Sequence, residues 1–211
     1  MPAKANGLKI ERKFTESGQD PFKKLSWTKR DVEIRNFDGS VAFSMKDVNL
    51  PDNYSQVAAN VLSQKYLRKA GIPKKLKKVR EKGVPIWLQR SVPDHKAMED
   101  LPESEKYGEE VDGRQTFRRL AGTWTYWGWK HGYFASEEDA RAYYGEMCFM
   151  LASQRASPNS PQWFNTGLNW AYGIEGPAQG HYFVNPETEV LERSVNAYEH
   201  PQPHACFIQS V

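Results

Sequence analysis

Residues 157–185, SPNSPQWFNTGLNWAYGIEGPAQGHYFVN, and residues 197–211, AYEHPQPHACFIQSV, decide how this chain is read. Pro158, Pro161, Gly167, Gly173, Gly176, Pro177 and Gly180 interrupt the first stretch too often for a sustained helical period. Yet the same stretch holds Trp163, Phe164, Trp170, Tyr172, Tyr182 and Phe183, and disordered segments are poor in aromatics. The expectation is ordered, irregular chain on which something else packs or binds. After Pro201-Gln202-Pro203, the short apolar run around Cys206 reads as a strand entering a core.

Just upstream the pattern changes. Ser136-Glu137-Glu138-Asp139 places a hydroxyl cap and three acids over the positive end of a helix dipole. Ala140, Tyr144, Met147, Cys148 and Leu151 follow at steps of three and four, which predicts a helix to about Arg155 with one apolar stripe. Asp112 caps a further helix, predicted from about 113 to 120, with Phe117 and Leu120 buried. Trp124, Tyr126, Trp127, Trp129, Tyr133 and Phe134 crowd what reads as a loop beyond it. Aromatics this dense pack cores more often than they stack nucleic-acid bases.

The first half of the chain is less regular. Residues 1–26 are polar and expected to form a frayed arm. Asp31–Val48 is a predicted hairpin: Val32 and Ile34 alternate on one strand, Val41, Phe43 and Met45 on the other, and Asp38-Gly39 turns between them. A helix is predicted from about Ser55 to Ala70, ended by Gly71 and Pro73. Pro85, Pro93 and Pro102 mark residues 84–102 as a connecting loop. Between them runs a basic stretch, Lys65 to Lys82, with Glu81 its only acid. Phosphate contact is one reading of it. A solvated helix end and loop is preferred, because Tyr66 is its only aromatic and stacking needs more.

Composition sets the outer bounds. The chain has 211 residues, 39% of them hydrophobic, with a net charge of +3 and two cysteines, Cys148 and Cys206. That suits one ordinary domain, or a domain with an extension. Mean hydropathy is −0.75, which points to much loop and solvated helix. No apolar run approaches the roughly 20 residues that span a bilayer, and no apolar segment follows the basic start as in a secretory signal. Two cysteines make no disulfide framework, so a reducing, cytoplasmic setting is expected. His95, His131, His181, His200 and His204 show no metal-ligand spacing, so no metal site is expected. Neither a phosphate-cradling Gly-rich loop nor a G-x-S-x-G nucleophile motif is present.

The stretches SPNSPQWFNTGL, GPAQGHYFV and AYEHPQPHACFIQSV resemble the vitamin B12-dependent (class II) ribonucleotide reductases. The resemblance extends upstream through LAGTWTYWGWKHGYF, residues 120–134, and the hairpin DVEIRNFDGSVAFSMKDV, residues 31–48. It covers nearly the whole chain beyond the first twenty or so residues. The implied fold is α+β: a mainly helical N-terminal region with a β-hairpin over 27–156, and residues 157–211 leading into the first strand of an α/β barrel. The family continues well past this point, so the implied chain is one part of an enzyme and is expected to be inactive alone.

The resemblance also assigns residues. Cys206 matches the first cysteine of the pair that reduces the ribose 2′-carbon. Ser160 matches a position whose hydroxyl contacts the substrate nucleotide, and Ala205 one that meets substrate through its backbone. Cys148 matches no catalytic position and sits on an apolar stripe without a cation to lower its pKa, so a packing role is expected. The implied cofactor is adenosylcobalamin. The implied partners are a ribonucleotide, the C-terminal remainder of the enzyme and a thioredoxin-type reductant. A different class stays open: a non-catalytic nucleic-acid or partner-binding module using the basic run and the tryptophan cluster. So does a half-protein completed by another chain, for example through splicing.

Overall fold

The computed structural model describes residues 7–178, 180, 182–185 and 188–199. The predicted hairpin is present as β1 (Trp27–Arg35) and β2 (Val41–Pro51), antiparallel, with Trp27 opposite Pro51 and Arg35 opposite Val41. Its turn is closed by the Asp38 carboxylate, which accepts the Ser40 amide at 2.9 Å, and by Gly39 at φ 83°. Val32, Met45, Val48 and Leu50 form the buried face. The step from Met45 to Val48 is three residues rather than two because the ladder is irregular opposite Asp31. There Asp47 takes φ 53° and donates its amide to the Asp31 carboxylate at 3.0 Å. The extra residue re-aims Val48 into the core.

Ser55 caps α1 (Gln56–Val61) by accepting the Ala58 amide. The helix then loosens into a single π-helical turn over Leu62–Tyr66 and stops, with Leu67 extended. The helix predicted to reach Ala70 therefore ends early. Leaving the helix at Leu67 lets Leu62 and Leu67 both enter the core, at 5% and 3% exposure. Short strands follow: β3 (Ile72–Pro73), β4 (Leu76–Lys78) and β5 (Ser91–Pro93). Next come α2 (Glu103–Lys106) and β6 (Tyr107–Gly108). β3 pairs with β6 and β4 with β5, both antiparallel. The supposed connecting loop over 84–102 thus supplies a strand, and its two 3₁₀ turns bury Leu88 and Met98 completely.

α3 (Gly113–Lys130) and α4 (Glu137–Ala152) are the central pair. Both predicted caps hold: Asp112 accepts the Arg114 amide at 2.8 Å, and the Ser136 hydroxyl accepts the Asp139 amide at 3.1 Å. α3 runs ten residues past its predicted end, so Trp124, Tyr126, Trp127 and Trp129 lie on a helix, not in a loop. It stops only where Gly132 takes φ 67°. Its continuation is held by side-chain contacts: Trp129 donates to the Gly83 carbonyl at 2.7 Å, and Tyr126 to the Glu81 carboxylate at 2.8 Å. Gly122 lies so close to the Trp170 ring that an added Cβ would meet it at 2.2 Å.

The expectation of helix-free chain after 157 also needs correcting. α5 (Ser160–Asn165) and α6 (Leu168–Tyr172) lie there, followed by the antiparallel pair β7 (Tyr182–Val184) and β8 (Leu191–Arg193). Pro161 falls in the first turn of α5, where a missing N–H costs nothing. Gly167 (φ 87°) separates the two helices and Gly173 (φ 66°) ends the second. Among the described residues the sheets are two-stranded and no closed barrel forms. The barrel strand expected around Cys206 lies outside the described residues, so the chain is α+β by its mixed helices and small antiparallel sheets.

The arm expected to fray is docked over its described part. Leu8 pairs with the chain beside Phe134, donating to the Tyr133 carbonyl at 2.7 Å and accepting the Ala135 amide at 3.0 Å. Ile10 donates its amide to Asp139, Phe14 stacks on Phe149, and Phe22 is buried against Trp27. Glu146 accepts the Thr15 hydroxyl at 2.6 Å and the amides of Phe14 and Thr15. Burial works to raise its pKa, but these hydrogen bonds outweigh it and hold the carboxyl below its usual value. Thus α4 supplies acceptors for arm amides that no helix or sheet satisfies.

Cys148 lies fully buried in the main core among Phe117, Leu120, Leu151 and Trp163. Burial pushes its thiol up to about 12. Cys148→Ala is expected to cost on the order of 1 kcal/mol through lost packing. Alkylation of the native protein by iodoacetamide at neutral pH should leave it unmodified, because the thiolate is the nucleophile. Rapid native-state labelling of Cys148 would contradict this placement.

Candidate functional site

Ser160 is exposed on the first turn of α5, and the segment before it is pinned from inside. Trp163 is 5% exposed, and its indole N–H donates to the Pro158 carbonyl at 3.1 Å. Its ring stacks on Tyr66 at 5.3 Å and 21°, and meets Phe117 edge-on at 6.2 Å. The tryptophan thus ties Pro158-Asn159-Ser160-Pro161 to the core wall formed by α3. Tyr66, last residue of the π turn, completes the arrangement: its phenolic oxygen lies 2.9 Å from Ser160 Oγ.

Beneath this surface sits a buried ion pair that the sequence reading missed. Arg119 and Glu110 are 1% and 0% exposed, with Nε 2.9 Å from Oε1. A buried pair is tolerated only when its remaining donors and acceptors are also satisfied. Here they are. Arg119 donates to the carbonyls of Thr166 (2.7 Å), Trp163 (2.8 Å) and Tyr66 (3.1 Å). Glu110 accepts the Tyr172 hydroxyl (2.8 Å), the Thr116 hydroxyl (2.8 Å) and the Arg68 amide (2.8 Å). Burial, then the neighbouring Glu110 charge, raises the Tyr172 phenol well above its ordinary pKa, so it stays a donor. One guanidinium therefore fixes the C-terminal end of α5 and the carbonyl of the tyrosine that faces Ser160. The sequence carried a signal: Thr116, Arg119, Leu120 and Thr123 recur at three- and four-residue steps, and all are buried. A charge in such a stripe implies a buried partner.

Of the residues expected in the site, Ser160 is thus exposed on a rigid support, whereas Ala205 and Cys206 lie outside the described residues. Of the basic run, Lys65, Arg68 and Lys69 line a groove beside Tyr66, and the rest does not join them as a patch. Lys78 donates to the Gln89 carbonyl at 2.7 Å and faces the Trp170 ring, and Lys69 donates to the Ser63 carbonyl beside the Phe43 ring. Lys74, Lys75, Lys77, Arg80 and Lys82 are exposed, as a solvated face would be. The tryptophans of α3 are partly buried against the two cores, which removes the stacking platform.

Tyr66 forms part of the wall of two open grooves. One, about 420 Å³, passes Leu62, Ala156, Ser157 and Trp163; the other, about 400 Å³, passes Lys65, Arg68, Phe164 and Asn165. Such volumes suit small ligands, and a corrin with its nucleotide loop is a larger body. Among the described residues no three His, Cys, Asp or Glu side chains converge where a metal ion would sit. Neither groove at Tyr66 fits a cobalamin seat. Nor, among them, is any helix long and apolar enough to cross a membrane.

Residues 28–154 match the family described as class II vitamin B12-dependent ribonucleotide reductase. The chain is 60% identical over 204 residues to the vitamin B12-dependent ribonucleotide reductase of Agrobacterium fabrum, and 58% identical over 204 residues to that of Bradyrhizobium diazoefficiens. Each comparison covers 97% of this chain and 16% of the relative. The protein of the same name from Rhodopirellula baltica is 32% identical over 206 residues, 97% of this chain and 17% of its own. The chain spans about a sixth of the length of these relatives.

Proposed function

We propose, for a chain that belongs to the class II vitamin B12-dependent ribonucleotide reductases, that it forms the N-terminal portion of such an enzyme and supplies part of its substrate contact. The reaction is the conversion of ribonucleotides to 2′-deoxyribonucleotides in the cytoplasm. Ser160 holds the substrate through its hydroxyl, and Ala205 meets it through the backbone. Cys206 is one thiol of the reducing pair, its partner being supplied by the C-terminal remainder. A thioredoxin-type reductant restores the pair after each turnover. Adenosylcobalamin, held by other parts of the enzyme, supplies the radical. Nucleic acid is not among the proposed partners.

The observation that supports this best is the exposed Ser160 hydroxyl on the first turn of a helix whose far end is held by Arg119 and whose entry is tied to buried Trp163 through the Pro158 carbonyl. A contact that must orient a reacting sugar needs such support, because small displacements of a bound reactant cost large factors in rate. A short hydroxyl can donate to a phosphate or ribose oxygen while the flanking prolines restrict the chain. In the full-length enzyme, Ser160→Ala is expected to lower kcat/KM by the worth of one hydrogen bond to a charged group. That is about 1.5–3 kcal/mol, roughly ten- to a hundredfold. An unchanged kcat/KM would leave Ser160 as an ordinary turn serine.

A further inference from the structure

We propose that Tyr66 is a positioning residue for Ser160: its phenol donates to Ser160 Oγ, leaving the serine proton directed at the substrate. The proposal rests on the reading of Ser160 as a substrate contact. An exposed serine hydroxyl on its own rotates among its staggered positions. Here one neighbour removes that freedom, because Tyr66 Oη lies 2.9 Å from Ser160 Oγ. A phenol is a better donor than an aliphatic hydroxyl, so the tyrosine gives its proton and the serine oxygen accepts it. The serine then has one proton to give outward, and accepting a bond polarises that O–H and strengthens it as a donor.

Tyr66 can do this only if it is itself immobile, and it is held from three directions. Its ring stacks on buried Trp163 and is tilted against Phe164 at 5.6 Å. Its carbonyl accepts from Arg119, the guanidinium that also holds the carbonyls of Trp163 and Thr166 at the end of α5. The π turn adds the third constraint: the Leu67 amide reaches back five residues to the Leu62 carbonyl, at 3.0 Å. Single π-helical turns mark functional sites more often than chance, and this one sets the rotation at which Tyr66 faces α5. The Tyr66 backbone and the last turn of the helix that carries Ser160 are thus tied to one buried cation.

The test is a double-mutant cycle in the full-length holoenzyme, reading kcat, KM and thermal midpoint for Tyr66→Phe, Ser160→Ala and the pair. Phenylalanine keeps the ring stack and removes only the hydroxyl. Tyr66→Phe is expected to lower kcat/KM about three- to tenfold, the worth of one neutral hydrogen bond, at an unchanged midpoint. In the Ser160→Ala background the same substitution should do nothing further. Tyr66→Leu, which also removes the stack, should lower the midpoint and so report the structural role separately. If Ser160→Ala is costly while Tyr66→Phe is silent, or costs the same in both backgrounds, the positioning role is overturned and the serine contact stands. If Ser160→Ala is itself silent, both fall.

Discussion

Glu110→Ala is expected to destabilise the α3–α5–α6 region by about 3–5 kcal/mol, because it strands a buried guanidinium. Arg119 is 1% exposed and cannot reach water without opening that region. Loss of the carboxylate also leaves the Tyr172 and Thr116 hydroxyls and the Arg68 amide without their acceptor. The sharper expectation concerns the double replacement by Leu at 110 and Met at 119. Many buried ion pairs can be exchanged for apolar residues without loss. This one cannot, because Arg119 is the donor to the carbonyls of Tyr66, Trp163 and Thr166. Each buried polar group left unpaired costs about 1–3 kcal/mol. Hydrogen exchange in the full-length enzyme reads the local opening free energy of residues 110–172 directly. A double variant as protected as the native enzyme would show that the pair is not what holds the Ser160 surface.

What was legible in the sequence was local. The hairpin and the Asp112 and Ser136 caps each depend on residues within a few positions, and each is present; the single apolar stripe of α4 is not, because Ala142, Glu146 and Phe149 on its other face are buried as well. The differences share one physical origin: tertiary contact outweighs local punctuation. Pro161, Gly167 and Gly173 look like breakers in the sequence, but they sit at the first turn, the junction and the end of two short helices. Beyond Leu120, α3 is rich in Trp and Thr, poor material for an isolated helix. Its continuation depends on partners forty or more residues away, such as Gly83, Glu81 and Trp170. The docked arm is a similar case, since Thr15 looks like loop until Glu146, more than a hundred residues on, accepts its amide. Within the site, Ser160 was legible only through family resemblance. Arg119 could have been suspected from its buried stripe, but its three carbonyl acceptors follow from the tertiary fold alone.

Cys206→Ser in the full-length enzyme is expected to reduce multiple turnover with thiol reductants to background. Removing the ribose 2′-hydroxyl as water takes two electrons and two protons. Two thiols supply both as they close to a disulfide. A serine hydroxyl cannot take part in that closure, so no disulfide forms and nothing remains for the external reductant to recycle. Cobalamin binding, followed by its visible absorbance, should be largely intact if Cys206 acts, as proposed, as a reductant. Cys148 offers no rescue. It is fully buried on α4, and burial pushes its thiol up to about 12, so little thiolate exists at neutral pH to enter exchange. Cys148→Ala is therefore the matched control: the same kind of atom lost from the same chain, with packing affected and turnover retained. Sustained deoxynucleotide formation by Cys206→Ser would remove the residue from the mechanism, and loss of turnover in both variants would place the thiol requirement on Cys148 as well.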